Sequence, residues 1–181
     1  MGKIKRIASK RLGFKIDKLT SSIENKHTGE NFETEILRVD GSDKLNLETG
    51  YWQFDWNLEE SEPGRAVYKL VTKENPGIIH GLISLEEKPD HIFVHLLESA
   101  SFNIGAMKSY LGVPANLVAF ACKMSFEKGH NGVVSFVSKT YLIGHYEKTL
   151  LAKRLAANRM FIDTGAAYIL VTRYFKDFDN V

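Results

Sequence analysis

Apolar positions recur along this chain with two different spacings, and the change between them divides the fold. From Arg65 to Leu97 they come in short runs separated by turn residues. The runs are Arg65–Lys73 with Val67, Leu70 and Val71, then Ile78–Leu85, then His91–Leu97; Glu74-Asn-Pro-Gly77 and Glu86–Asp90 separate them. Short β-rich runs bounded by turn residues predict strands, here an antiparallel meander. From Pro114 the spacing becomes helical, with Leu117, Phe120, Ala121 and Met124 on one stripe that Lys128 and Gly129 close. Gly132–Val137 reads as a buried strand, Leu142, Tyr146 and Leu150 as one face of a second helix, and Met160–Ile162 as a short strand. Thr164 is placed to cap a last helix with Ala167, Leu170, Val171, Tyr174 and Phe175 on one face.

The order strand, loop, helix, strand, helix from His91 to Leu151 is a β-α-β crossover followed by a helix. A crossover helix joins parallel strands, so 92–97 and 132–137 are expected to be parallel in one sheet with the 115–128 helix on it. The predicted class is α+β: a mixed, twisted sheet with helices on both faces.

Upstream, residues 20–40 predict two short strands around Lys26-His-Thr-Gly29, and residues 41–50 a loop. Tyr51–Trp56 alternates, which as a strand would put Trp52, Phe54 and Trp56 on one face. Such rings form either core or the aromatic wall of a substrate cleft, and Trp56 is the candidate for substrate contact. Asn57–Gly64 reads as an acidic loop, either solvated or able to receive a cation.

The chain has 181 residues, 44% apolar and 25% charged, which suits one globular domain. A formal charge of +2 identifies no partner. Cys122 is the single cysteine, so no internal disulfide forms; a reducing compartment and a cytoplasmic setting are expected. No apolar run reaches the roughly 18–20 residues of a membrane span, so no membrane partner is expected. Lys3, Lys5, Arg6, Lys10, Arg11 and Lys15 make residues 1–15 basic. A solvated terminus is the simpler reading and nucleic-acid contact the other. His91 and His95 would stand about 13 Å apart on a strand at roughly 3.3 Å per residue, too far for one ion. No metal is expected, and the oligomeric state, including a homo-oligomer, is left open.

Two stretches carry a family resemblance. Gly77-Ile-Ile-His-Gly-Leu-Ile-Ser-Leu85 is similar to the third strand of the Gcn5-related N-acetyltransferase (GNAT) superfamily, and Leu142-Ile-Gly-His-Tyr-Glu-Lys-Thr-Leu150 resembles that family's closing Leu-Tyr-Glu-Lys-Leu-Gly-Phe motif. The resemblance covers roughly residues 50–162. It implies a GNAT-like domain that binds acetyl-CoA, or another acyl-CoA, between the strands at 91–97 and 132–137. The family's Gln/Arg-x-x-Gly-x-Gly/Ala loop falls on Ser109–Pro114, where Gly112 matches. Backbone N–H groups of Gly112, Val113, Ala115 and Asn116 would then meet the pyrophosphate at a helix start. Tyr146 is the implied general acid. Glu98, at a strand end facing the loop, is the candidate base, and Asn103 a candidate substrate contact. The implied activity is N-acylation of a small-molecule or protein amine; the alternative is a GNAT-like module that binds without catalysing.

Overall fold

The computed structural model describes residues 22–48, 50–105 and 108–178. The basic segment 1–15 and both of its readings lie outside the described residues. The first hairpin is β1 (Ser22–Asn25) and β2 (Asn31–Arg38). Its turn is held by the Asn25 side chain, whose oxygen accepts the N–H groups of His27 and Thr28 at 2.9 and 3.2 Å. Two short helices follow, α1 (Lys44–Leu47) and α2 (Trp56–Ser61). The meander is β3 (Arg65–Thr72), β4 (Gly81–Glu87) and β5 (Ile92–Ser99). Then come β6 (Tyr110–Leu111), α3 (Val113–Glu127), β7 (Val134–Val137) and α4 (Ile143–Thr149). The described chain closes with β8 (Lys153–Ala156), β9 (Arg159–Ile162) and α5 (Thr164–Tyr174).

The strands form one sheet in the order β6-β1-β2-β3-β4-β5-β7-β9-β8. The β5–β7 pair is parallel and every other neighbouring pair is antiparallel. Alternation along the strands sorts side chains to the two faces. Leu70, Ile83, Leu85 and Val94 pack beneath α3 and α5, against Leu117, Ala121 and Leu170. Val67, Val71 and Leu82 face the other way, onto Leu47 and Trp56 of α1 and α2. Each fully buried aliphatic side chain contributes about 1.5–3 kcal/mol. Gly81 lets α3 settle on β4, because a Cβ there would stand 2.6 Å from Val113 Cγ1. At its other end α3 is closed by Gly129, whose φ of +82° a side chain would resist.

Several sequence expectations change. Tyr51–Trp56 is not a strand. Asp55 accepts the Leu58 N–H at 2.9 Å and caps α2, so the chain turns helical at Trp56. The acidic stretch is mostly that helix rather than a loop. Glu59 is buried and bonds Ser84 Oγ at 2.6 Å and Arg65 at 2.7 Å, which leaves it no role as a cation receiver. Part of the 41–50 loop is α1, and β4 begins at Gly81 rather than Ile78. Asp163, not Thr164, caps α5 by accepting the Ala166 N–H at 2.9 Å. Cys122 is buried in the core, where desolvation pushes its thiol well above the usual range.

Candidate functional site

β5 and β7 run together through Ile92–Val134, Phe93–Ser135 and Val94–Phe136. Beyond those pairs β7 ends at Val137 while β5 continues along β4 to Ser99. β5 also bulges where they part: Ser84 pairs with Leu96 and Leu85 with Val94, leaving His95 as the extra residue. A bulge sharpens the twist and re-aims side chains, which helps drive the two strands apart. The opening is a cavity of about 270 Å³. Val94, Leu97, Val118, Phe136, Tyr146 and Leu150 are on its wall, and Phe54 joins them from the α1–α2 connection.

Tyr146 reaches this cavity from α4, with its ring edge-on to Phe136 at 5.3 Å between centroids. Burial raises the phenol's pKa, and Tyr141 nearby pushes it the same way. The hydroxyl therefore keeps its proton at neutral pH and can donate it. The sequence placed Tyr146 on an apolar helical stripe; the structure puts that stripe on the wall of the strand opening.

Glu98 is buried and accepts three hydrogen bonds: from the Gln53 N–H at 2.6 Å, the Phe54 N–H at 3.4 Å and the Trp56 indole N–H at 2.8 Å. It ties the α1–α2 connection to the end of β5 and is not on the cavity wall. Trp56 is fully buried, so it lies in the core rather than on a cleft wall. Phe54, from the same alternating stretch, is the ring that reaches the cavity. Asn103 is buried behind His80 and donates to the His80 carbonyl at 3.2 Å; its own Oδ1 has no partner among the described residues.

Gly112, Val113, Ala115 and Asn116 form the start of α3, with Gly112 left-handed at φ +89°. β6 pairs with β1, so the chain crosses the sheet before α3 begins. None of the four residues is on the wall of the strand opening, which α3 joins through Val118. The Asn116 N–H already donates to the Gly112 carbonyl at 3.0 Å, and Pro114 has no N–H. The first-turn donors that the helix does not use are those of Val113 and Ala115. Asn116 faces a separate cavity with Lys73 and Lys176.

Two features were not legible in advance. A second cavity of about 370 Å³ is walled by Tyr51, Trp52, His80, Phe102 and Tyr110. Burial holds the His80 imidazole down at about 4, so it is neutral there. On the sheet face opposite α3 and α5, Phe93, His95 and Phe161 line a trough of about 600 Å³, and Glu86 Oε2 lies 2.6 Å from His95 Nε2. Both depend on contacts across turns, which periodicity does not encode. Among the described residues, no group of three or more His, Cys, Asp or Glu side chains is placed to hold a metal. No described helix is long and apolar enough to cross a membrane.

No family model matches the chain, and no curated protein sequence matches it. Solved structures do. AtaTR bound with AcCoA aligns at TM-score 0.55 and 16% identity, over 76% of this chain and 97% of that one. The aminoglycoside acetyltransferase AAC(6')-Ib, in complex with coenzyme A and kanamycin, aligns at 0.54 and 12%, over 76% and 98%. A spermidine N-acetyltransferase SpeG chimera from Vibrio cholerae and hSSAT aligns at 0.50 and 15%, over 75% and 98%. These alignments run over about three-quarters of the chain and, with its meander, parallel β5–β7 pair and crossover helix, show that it has the GNAT fold.

Proposed function

We propose that the chain is an acyl-CoA-dependent N-acyltransferase, with acetyl as the acyl group and an amine, small or protein-borne, as acceptor. One observation carries this reading: Tyr146, a half-buried phenol that stays protonated, stands on the wall of the opening between β5 and β7. Two of the similar structures, one bound with AcCoA and one with coenzyme A, support it. The opening suits the narrow arm of such a ligand: its wall is apolar at Leu97, Val118 and Phe136 and ends in Lys139. Bound acyl-CoA would supply an activated thioester there.

The chain's own residues would do the rest. Val94, Leu97 and Phe136 would exclude water from the reacting carbon. Tyr146 would give its proton to the departing sulfur, a role worth about 10²–10⁴-fold in rate. Val113 and Ala115 remain the donors offered to a pyrophosphate at the start of α3, with Gly112 keeping the approach open and Asn116 shaping the turn. We assign Glu98 and Trp56 to holding the cavity wall that carries Phe54, and Asn103 to placing His80. The reading also places the protein in the cytoplasm, where Cys122 stays reduced.

A second reading, a GNAT-like module that binds without catalysing, is favoured by one observation: none of the four α3-start residues lines the opening. Tyr146→Phe separates the two. The variant should bind acetyl-CoA as the wild type does by calorimetry, yet release coenzyme A in the presence of amines about 10²–10⁴-fold more slowly. Equal turnover by the two proteins would remove Tyr146 as the acid. Acetyl-CoA bound without turnover by the wild type would favour the non-catalytic module.

A further inference from the structure

The strand opening and the outer trough meet along β5. Among the described residues on their walls, His95 is the one common to both. It occupies that place because it is the bulge residue of β5, unpaired with β4 between Val94 and Leu96. Its side chain is 19% exposed and packs edge-on to Phe93 at 4.7 Å between centroids.

Glu86 Oε2 lies 2.6 Å from its Nε2. A carboxylate only accepts, so in the neutral ring Nε2 carries the proton and the Nδ1 lone pair is left available. Glu86 is held ionised, its pKa lowered first by the hydrogen bond from Lys88 and then by that from His95. Charged and titratable groups elsewhere around the ring are Lys88, Asp90, His91 and Arg159 in the trough and Lys139 in the opening. The His95–Glu86 pair thus has the form of a base oriented by a carboxylate.

We propose that His95 is the general base for the acceptor amine, that Glu86 positions it, and that the acceptor reaches the reacting carbon through the outer trough. This rests on the acyltransferase reading above. His95 takes one proton from the amine nitrogen as that nitrogen bonds the acyl carbon. The sulfur leaves from that carbon and takes a proton from Tyr146. The imidazolium returns its proton to the Tyr146 oxygen through solvent, so an amine and a thioester become an amide and a thiol.

The trough also selects the amine. Its walls include Phe93, Phe161 and Leu155, the last 64% exposed. Asp90, the carboxylate on its wall, lies 2.6 Å from His91, and Glu86 behind His95 also bonds Lys88 at 2.5 Å. A polycation would find no carboxylate to itself, and Arg159 would repel it. The fitting acceptor is a monoamine on an apolar or aromatic body.

Nitrogen-resolved NMR of the His95 ring should show the proton on Nε2 in the neutral form, and Glu86→Gln should disturb that tautomer. His95→Gln should lower kcat/KM about 10²–10⁴-fold, abolish the acidic limb of its pH profile, and leave acetyl-CoA affinity and melting temperature unchanged. 2-Phenylethylamine should be turned over faster than spermidine. A wild-type His95 ring protonated on Nδ1, or wild-type kcat/KM in His95→Gln, would overturn the base. Spermidine turned over as fast as 2-phenylethylamine, or neither turned over, would overturn the trough. Failure of the wild type to bind acetyl-CoA instead overturns the acyltransferase reading, and the NMR result still reports on the pair.

Discussion

Replacing Glu98 by Gln distinguishes a carboxylate that holds a wall from one that moves a proton. In the wild type one oxygen accepts the Gln53 N–H at 2.6 Å and the other accepts the Trp56 indole at 2.8 Å and the Phe54 N–H at 3.4 Å. A glutamine amide has one oxygen. Its better orientation keeps Trp56 and Phe54 bonded and turns an NH₂ group toward the Gln53 N–H. The loss is one short charge-assisted bond plus a buried donor facing a donor. Hydrogen bonds to charged groups are worth about 1.5–3 kcal/mol, and a stranded buried donor costs about 1–3 kcal/mol. Allowing for relaxation, about 2–4 kcal/mol of stability should go. At roughly 2–4 °C per kcal/mol for a domain this long, the melting temperature should fall by about 4–16 °C. Urea unfolding should show a lower midpoint with an unchanged slope. Because Phe54 rides on the same segment, KM should rise more than kcat falls. A variant as stable as wild type, with kcat lowered at constant KM, would show that Glu98 acts on the reaction and that the wall-holding assignment is mistaken.

Acid should weaken the fold through His80. Burial holds its imidazole at about 4 in the folded protein, against about 6.5 unfolded. The unfolded chain therefore takes up a proton first as pH falls, so stability is complete above about pH 6.5 and declines toward pH 4, by roughly 3 kcal/mol in all. Urea unfolding across that window should show the slope, and His80→Gln should flatten it. Gly132→Ala should cost about 2–4 kcal/mol, because its φ is +77° and a Cβ would stand 2.4 Å from the Phe126 ring and 2.8 Å from Ala167 Cβ. Phe126→Leu in the same chain should recover part of that loss in a thermal melt.

The sheet was readable where burial writes a period into the sequence. β3, β5, α3 and α5 each bury a regular set of side chains, and each was expected within a few residues of where it lies. The 51–56 stretch misled because its alternation comes from one buried ring, Trp56, and one cavity ring, Phe54, on either side of a helix cap. β8 was invisible because all four of its residues are exposed at the sheet edge. Tyr146 could be singled out through its local motif. The His95–Glu86 pair could not, since it depends on a hairpin register and a bulge that leave no local signature.

An NMR titration of the labelled protein with acetyl-CoA bears most directly on the reading of the strand opening as the acyl-CoA site. Shifts should saturate in the micromolar to millimolar range usual for enzyme ligands and centre on Leu97, Val118, Phe136 and Tyr146. No shifts at millimolar ligand, or shifts confined to the cavity around Tyr51, His80 and Tyr110, would contradict it.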